Sequence, residues 1–169
     1  TGDTPDTRST KESFIGKTFE QESDDLQRAF SYLVDNTIIT PSHQLSIIAN
    51  SFGGTLLLGT PNILSRSSAI FFIGSGCGKS ATTTKPLLST LFNEERLLSP
   101  LRTYTGIFIF MRGEYDTVVP KESQEKIIEN AHSASIRALY TISGVNHDLS
   151  PSSDAIVINR SHLLSSMLN

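Results

Sequence analysis

The sequence predicts an α/β domain in which a mostly parallel β-sheet is flanked by helices. Short apolar segments rich in Ile and Phe alternate with segments of helical periodicity, the order typical of parallel strands joined by right-handed crossovers. Two of the apolar segments run directly into glycine-rich turns, as strands do where they give way to helices. A length of 169 residues fits one domain with a sizeable core, so we treat residues 1–169 as a single domain.

The helices and strands follow from local patterns along the chain. Residues 1–17 are polar and predict a mobile terminal loop. Thr18 can cap a helix, and Gln21 three residues later completes a capping box. The predicted elements are a helix from 18 to about 36, strands at 45–49, 68–74, 106–111 and 136–142, and helices at 52–64, 87–97, 122–132 and 161–168.

Each element has its own local justification. The strands are short apolar runs built on β-branched or aromatic residues, such as Ala69-Ile-Phe-Phe-Ile73. The first helix has apolar residues on one side, and the helix after the first strand should stop or kink near Pro61. Residues 75–100 form a long connection, for which we expect a small cap insertion over a pocket. The apolar side of the first helix comprises Phe19, Leu26, Ala29, Phe30, Leu33 and Val34.

A serine stands at one predicted strand-to-helix turn. The run Leu45-Ser-Ile-Ile-Ala-Asn-Ser-Phe-Gly-Gly54 places Ser51 between an apolar strand and a helix. Such a turn strains the backbone of its central residue and needs small residues two positions before and after it, here Ala49 and Gly53. The pattern is that of a nucleophile elbow, with alanine in place of the usual first glycine. Alone it is a weak signal, because serine is often found near glycine.

Two later segments supply an acid and a base. In Gly106-Ile-Phe-Ile-Phe-Met-Arg-Gly-Glu-Tyr-Asp-Thr-Val-Val-Pro120, a buried strand is followed by a turn that carries Asp116. In Tyr140-Thr-Ile-Ser-Gly-Val-Asn-His-Asp-Leu149, a short strand is followed by a loop that presents His147. The chain order is therefore serine, acid, histidine, which differs from the order in chymotrypsin and in subtilisin.

Together these motifs resemble those of the α/β-hydrolases, whose triads have this chain order. From about Thr18 onwards the chain is similar to the C-terminal part of that fold. The segment from Arg112 to Pro120 resembles the acid loop H-G-x-x-D-x-x-V-P, with Arg112 in place of the histidine, and Gly144-Val-Asn-His147 resembles the G-x-x-H loop. The resemblance implies a partial or split α/β-hydrolase fold, and it identifies a superfamily without a substrate.

The resemblance also implies an activity and the residues that carry it. It implies a serine hydrolase that cleaves an ester, thioester or amide bond through an acyl-enzyme. Ser51 would be the nucleophile and His147 the general base. Asp116 would orient the imidazole, and the backbone N–H of Phe52 would be one oxyanion donor. A small acyl compound is the expected substrate, and no dissociable cofactor is implied.

The start of the chain departs from the resemblance. A complete hydrolase of this type has several strands before the elbow strand, and the 44 residues here contain no convincing buried strand. Thr1-Gly-Asp-Thr-Pro5 resembles the loop that follows the last of those strands. The missing part normally supplies the second oxyanion donor. We therefore expect a companion N-terminal segment of the same fold, either on a separate polypeptide or as sequence that has been removed.

Two interpretations of other kinds stay open. A noncatalytic relative would keep the fold as an interaction module. Alternatively, Gly74-Ser-Gly-Cys-Gly-Lys-Ser80 resembles a P-loop, in which Lys79 would reach phosphates and Ser80 would hold magnesium. Ile73 stands where that pattern needs its first glycine, and the residues that follow are poor helix formers ending at Pro86. Nucleotide binding is therefore the weaker interpretation.

Other titratable residues have simpler explanations. Glu114 and Asp148 are weaker candidates for the acid, because neither occupies the matching position. Cys77 is predicted to be a small buried or loop residue. The four histidines show no metal-ligand spacing, so no metal site is expected. The histidines predicted to be surface or helix-end residues are His43, His132 and His162.

Composition and charge argue against several classes of protein. The formal net charge is −3 and no basic run exceeds a pair, so we expect no nucleic-acid partner. No stretch approaches the roughly 18 apolar residues that span a membrane. The apolar content of 37% and charged content of 18% leave a surface rich in Ser and Thr. The single Cys77 excludes an internal disulfide and fits a reducing compartment, which predicts a cytoplasmic location.

Overall fold

The computed structural model describes residues 15–78 and 86–151. Three predicted features lie outside these residues: the helix at 161–168, most of the terminal loop, and Lys79 and Ser80 of the P-loop-like run. The elements in chain order are α1 (Phe19–Asp35), β1 (Leu45–Asn50), α2 (Phe52–Leu58), α3 (Pro61–Arg66), β2 (Ser67–Ile73), α4 (Pro86–Ser89), α5 (Glu94–Arg102), β3 (Ile107–Gly113), α6 (Lys121–Asn130) and β4 (Ile136–Ile142).

The sheet is parallel, as the sequence predicts. Its four strands lie side by side in the order β1-β2-β3-β4, and every neighbouring pair is parallel. Parallel neighbours need crossover connections, and helices occur in each of the three here. The carboxyl ends of all four strands therefore lie at one edge of the sheet. The turns after β1, β3 and β4, which carry the predicted site residues, meet at that edge.

One face of the sheet carries the hydrophobic core. Ile70 and Phe72 of β2 and Phe108 and Phe110 of β3 point to this face and have no exposed surface. The rings of Phe72 and Phe108 pack edge to face, with centroids 5.4 Å apart. Apolar side chains of α1, α2, α3, α5 and α6 belong to the same buried cluster. The helices of the described residues thus stabilise the sheet from this side.

The opposite face has no comparable cover in the part of the chain that the structure describes. Ile48, Phe71, Ile109 and Ala138 are partners in register across the four strands, and we call these four residues the open face. None of them is buried, and Ile48 is 74% exposed. Parallel sheets are normally covered on both faces. In addition, β1 lies at the edge of the sheet, where no described strand pairs with its outer side.

The capping box at the start of α1 forms as predicted. The Thr18 hydroxyl accepts a hydrogen bond from the Gln21 N–H at 3.3 Å, and the Gln21 side chain accepts one from the Thr18 N–H at 2.9 Å. The predicted apolar side of the helix is only partly correct. Phe19 is fully buried, but Ala29 is exposed, because α1 buries mainly its first turn.

The predicted helix at 87–97 is wrong in its bounds. The structure has the short α4 and the separate α5, which ends at Arg102. Side chains cause the break: the Thr90 hydroxyl donates to the Pro86 carbonyl at 2.7 Å, and the Asn93 side chain accepts from the Arg96 N–H at 2.8 Å, which caps α5. The interruption near Pro61 is present, since α2 ends before Gly59 and α3 begins at Pro61.

Candidate active site

The turn after β1 has an unusual backbone. Ser51 has φ 51° and ψ −121°, a region that non-glycine residues seldom adopt. Its N–H donates to the Ile73 carbonyl at 2.7 Å, which ties the turn to the end of β2, and α2 begins at the next residue, Phe52. This is the strained strand-to-helix turn that the sequence pattern predicts.

The small residues around Ser51 differ in their importance. Ala49 is 6% exposed, so a larger side chain there would meet the core. A Cβ at Gly54 would lie 2.5 Å from the Ser75 Cβ, whereas a Cβ at Gly53 would meet nothing within 4 Å. The expectation that the turn needs a small residue at Gly53 is therefore wrong. Gly54 has the essential small size, because the C-terminal end of β2 packs directly against it.

The structure brings the three predicted site residues together. His147 Nε2 lies 2.8 Å from Ser51 Oγ, and His147 Nδ1 lies 3.0 Å from Asp116 Oδ2. The imidazole and carboxylate side chains are 12% and 3% exposed. In this arrangement the imidazole can take a proton from the hydroxyl, and the carboxylate can stabilise the imidazolium that forms.

Asp116 accepts hydrogen bonds on both carboxylate oxygens. Oδ1 accepts the backbone N–H groups of Val118 and Val119 at 2.9 and 3.0 Å, and Oδ2 accepts Gln124 Nε2 at 2.9 Å beside the imidazole. Burial alone would raise the pKa of this carboxyl. The hydrogen bonds from His147 and the backbone outweigh that effect and hold the pKa below its ordinary value. The carboxylate is therefore ionised at neutral pH, as an orienting acid must be.

Two glycines allow the loop of residues 143–151, the histidine loop, to cross from β4 to β1. A Cβ at Gly113, the last residue of β3, would lie 2.6 Å from the Val145 carbonyl oxygen and closer still to that of Asn146. A Cβ at Gly74, which follows β2 and has φ 56°, would lie 3.2 Å from the His147 ring. The loop thus packs against glycines at the carboxyl ends of the two central strands, where no side chain is in the way.

Side-chain hydrogen bonds fix the histidine loop further. Asn146 Oδ1 accepts the N–H groups of Asp148 and Ser150, both at 3.0 Å. The Glu114 carboxylate accepts from the Gly144 N–H at 3.0 Å and from the Ser143 hydroxyl at 2.9 Å, and these bonds lower its pKa. Glu114, considered as a weaker acid, thus ties the acid turn to the histidine loop. Neither it nor Asp148 is the carboxylate bonded to the imidazole.

Arg112, which replaces the histidine of the resembled motif, is buried within the fold. Its Nε donates to the Thr141 hydroxyl of β4 at 3.1 Å, and its Nη1 lies 3.7 Å from the Glu125 carboxylate of α6. It connects β3 to its neighbours and does not belong to the hydrogen-bonded chain of Ser51, His147 and Asp116.

A pocket of about 460 Å³ opens beside Ser51. Among the described residues no charged side chain lines it, and its two hydroxyl-bearing members other than Ser51 are bonded within the protein. Thr55 donates to the Gly76 carbonyl at 2.7 Å, and Ser123 accepts the Cys77 N–H at 2.8 Å. The lining residues are Ser51, Phe52, Thr55, Gly76, Gly78, Leu88, Leu91, Val118, Val119, Pro120 and Ser123.

The P-loop-like run has a packing role in its described part, residues 74–78. A Cβ at Gly76 would lie 2.8 Å from Val119, and the Cys77 N–H is already bonded to Ser123. A phosphate-binding loop presents free backbone N–H groups at the start of a helix. Here one such group, the Cys77 N–H, is used by the Ser123 side chain. These observations weigh against nucleotide binding.

The remaining predicted residues lie apart from the site or outside the described ranges. His43 and His132 are exposed, and His162 is not described. Cys77 is buried, and burial raises the pKa of its thiol. Within residues 15–78 and 86–151, no three His, Cys, Asp or Glu side chains are grouped to hold a metal ion. None of the helices described is both long and apolar enough to cross a membrane.

Sequence patterns missed one polar residue at the site and part of its apolar lining. Gln124 contacts Asp116 from the first turn of α6, and Leu88 and Leu91 line the pocket. A buried position for Gln124 could have been inferred from its distance of three residues from Ile127 on one helix face. The partner of its amide could not, because that contact joins a helix to a turn.

Solved structures with the same fold include an esterase domain, a lipase and a lipolytic enzyme. The esterase domain from a Rhodothermus marinus protein matches with a TM-score of 0.56 at 20% identity, over 81% of this chain and 64% of that one. Paleococcus ferrophilus monoacylglycerol lipase matches at 0.59 and 11% identity, over 79% and 68%. A structure from the metagenome-derived lipolytic enzymes LipS and LipT matches at 0.63 and 15%, over 90% and 72%.

These matches establish the fold. The chain has a partial α/β-hydrolase fold, as its motifs predicted, and it spans less than two thirds of the length of the Rhodothermus marinus esterase domain. No family model matches the sequence, and no curated protein matches it. At identities of 11–20%, these matches show the fold, whereas the activity depends on the residues of the site.

Proposed function

We propose that this chain carries the nucleophile, base and acid of a serine hydrolase that cleaves an ester, thioester or amide bond. The observation that supports this most strongly is the continuous hydrogen-bonded path from Ser51 Oγ through the His147 ring to Asp116 Oδ2, with links of 2.8 and 3.0 Å. The strained backbone of Ser51 adds support, because it presents the hydroxyl at the carboxyl edge of the sheet.

The reaction proceeds in two proton-coupled halves. His147 Nε2 takes the Ser51 hydroxyl proton as Oγ attacks the substrate carbonyl carbon. The tetrahedral intermediate then collapses: the bond to the leaving group breaks, and the imidazolium returns its proton to that group. Water then attacks the acyl-enzyme carbonyl carbon and gives a proton to His147 Nε2; the bond to Ser51 Oγ breaks, the acid is released, and the imidazolium returns the proton to Oγ. Asp116 stabilises the imidazolium throughout and keeps the ring in the required tautomer.

One donor for the developing oxyanion comes from this chain. Phe52 follows the nucleophile, and its backbone N–H is the proposed donor, since a group in this position faces the charge that forms on the carbonyl oxygen. Loss of one such donor costs about 10²–10³ in rate. A second donor is assigned to the companion segment proposed below.

The pocket favours an uncharged acyl group. Its described side chains are mostly apolar, and the Thr55 and Ser123 hydroxyls are bonded within the protein. A charged or strongly polar group would therefore lose its hydration without gaining a partner among the described residues. We propose a small, neutral acyl compound as the substrate.

Labelling with a fluorophosphonate probe tests the proposed activity. A serine activated by histidine should form a covalent adduct, and mass spectrometry should place that adduct on Ser51. Ser51→Ala should remove both the labelling and the hydrolysis of p-nitrophenyl butyrate. Ser65→Ala is the matched control, because Ser65 is an exposed residue of α3 and should leave both unchanged.

Other results would favour the alternatives. A folded protein that neither reacts with the probe nor hydrolyses esters would support the noncatalytic interaction module. Magnesium-dependent nucleotide binding that is lost in Lys79→Ala would support the P-loop interpretation.

We also propose that a companion segment of the same fold extends the sheet beyond β1. Ile48 is exposed, and no described strand pairs with the outer side of β1. Both observations support the proposal, since an open apolar edge invites association with further strands. Native molecular size measured together with intact mass tests the proposal. A stable, active monomer of 18.5 kDa with no companion segment would contradict it.

A further inference from the structure

We propose that Gln124 is a positioning residue of this site, whose amide fixes the Asp116 carboxylate that orients His147. Gln124 lies in the first turn of α6 and is 1% exposed. Its Nε2 donates to Asp116 Oδ2 at 2.9 Å and to the Val119 carbonyl at 3.3 Å. The inference deepens the proposed function and rests on it.

The surroundings determine which end of the amide faces Asp116. Both groups that the amide approaches, a carboxylate and the Val119 carbonyl, can only accept hydrogen bonds. The reversed amide would set its oxygen against two other oxygens. Only the NH₂ end satisfies both contacts, and its two hydrogens are enough for both.

Gln124 gives Oδ2 a hydrogen-bond donor that is separate from the imidazole. The backbone N–H groups of Val118 and Val119 hold Oδ1, and His147 and Gln124 share Oδ2. Without Gln124, the imidazole would be the only donor to Oδ2 among the described residues, and it is the group that Oδ2 must orient. The amide therefore fixes the plane of the carboxylate independently of the ring.

The amide also sets how strongly Oδ2 attracts the imidazolium. A second donor spreads the negative charge of Oδ2, and its removal concentrates that charge beside His147. The protonated ring is then favoured, and the base is free only at higher pH. Removal of the amide should therefore move the acid limb of the rate profile upward. The charged side chains on adjacent elements, Arg112, Glu114, Glu125 and Asp148, are unchanged in every variant below.

Gln124→Met tests the proposal, since methionine has a similar length and no donor. For p-nitrophenyl butyrate, kcat should fall about tenfold, as expected for the loss of a hydrogen bond to a charged group. KM should stay unchanged, because Gln124 is not among the pocket residues. The acid limb of kcat/KM should move up by about half to one pH unit. Ile127→Val is the control, because Ile127 is buried on the same helix. This variant should lower stability and leave the acid and alkaline limbs of the pH profile in place.

A second variant reverses the expected pH effect. Gln124→Glu keeps the shape and sets a second carboxyl beside Asp116, and the two carboxyls will hold one proton between them at moderate pH. Protonated glutamate can still donate to Oδ2, so activity should approach that of the wild type at the acidic end. It should fall as the pH rises and the pair ionises, whereas Gln124→Met loses most at the acidic end.

A spectroscopic measurement separates this inference from the proposed function. The NMR resonance of the proton between His147 Nδ1 and Asp116 should move in Gln124→Met and stay in place in Ile127→Val, whether or not any ester is hydrolysed. A wild type without hydrolytic activity would count against the proposed hydrolase. The NMR resonance in Gln124→Met would still decide the positioning role. If Gln124→Met does not fold, Gln124→Glu decides. A folded variant with the wild-type kcat, pH limbs and resonance would overturn the positioning role.

Discussion

Phe71 and Phe72 are consecutive residues of β2 with the same side chain and opposite surroundings. Phe72 has no exposed surface, and its ring packs edge to face against Phe108 and Phe110. Phe71 lies on the open face, next to Ile48 and Ile109 in register, and is only partly buried. The described fold therefore draws its apolar stabilisation from one layer, and the site lies at the edge of that layer.

The largest expected effect is on the free energy of unfolding, when each of the two phenylalanines is replaced by alanine. Phe72→Ala should lower the free energy of unfolding by about 3–5 kcal/mol, because it opens a cavity in the packed core. Phe71→Ala should cost about 1 kcal/mol, since little apolar surface is lost from contact. Chemical denaturation of both variants measures the difference. An equal loss for Phe71→Ala would mean that the open face is covered in the intact protein, as the proposed companion segment could do.

A methyl group added at the crowded edge should have an intermediate effect. Gly113→Ala would press its Cβ against the Val145 and Asn146 carbonyl oxygens and should cost about 1–3 kcal/mol. Activity should fall as well, because the histidine loop would move away from Ser51. Gly53→Ala, where the added methyl group has open space, is the control and should not lower stability. Wild-type activity in Gly113→Ala would contradict the role given to this close approach.

The smallest effect is expected on the open face at β1. In this chain on its own, Ile48→Ser should change the free energy of unfolding by less than about 0.5 kcal/mol, because the side chain is 74% exposed. The solubility of the isolated chain should rise, since an apolar residue is removed from a strand at the edge of the described sheet. Thermal unfolding and a measurement of aggregation test both points. A large loss of stability would show that Ile48 is buried against something beyond the described residues.

The sequence predicted the site better than it predicted the contacts that support it. Ser51, Asp116 and His147 each follow an apolar strand, and parallel strands bring such turns to one edge. That inference needs only local patterns and the direction of the chain. The prediction that the turn needs a small residue at Gly53 was wrong, because the close approach is at Gly54 and depends on where the end of β2 packs.

The predicted bounds of the helix at 87–97 were wrong for a related reason. Apolar periodicity favours a continuous helix over residues 87–97, but the side-chain hydrogen bonds of Thr90 and Asn93 interrupt it. Such bonds compete with helix continuation and leave no trace in periodicity. The contact of Gln124 with Asp116 likewise depends on how α6 packs, so no motif in the chain could have identified it.

The crossing of the histidine loop has a consequence for how quickly the protein can fold. Ser51 and His147 are separated by 96 positions in the chain, and they follow the two outer strands of the sheet. Their contact requires β2 and β3 to be in place between those strands, with the loop laid over Gly74 and Gly113. Contacts of such long sequence separation carry the entropy of closing a long loop, and sheets that depend on them fold slowly. Hydrolytic activity is thus a late marker of folding, which helical circular dichroism, formed from local contacts, should precede.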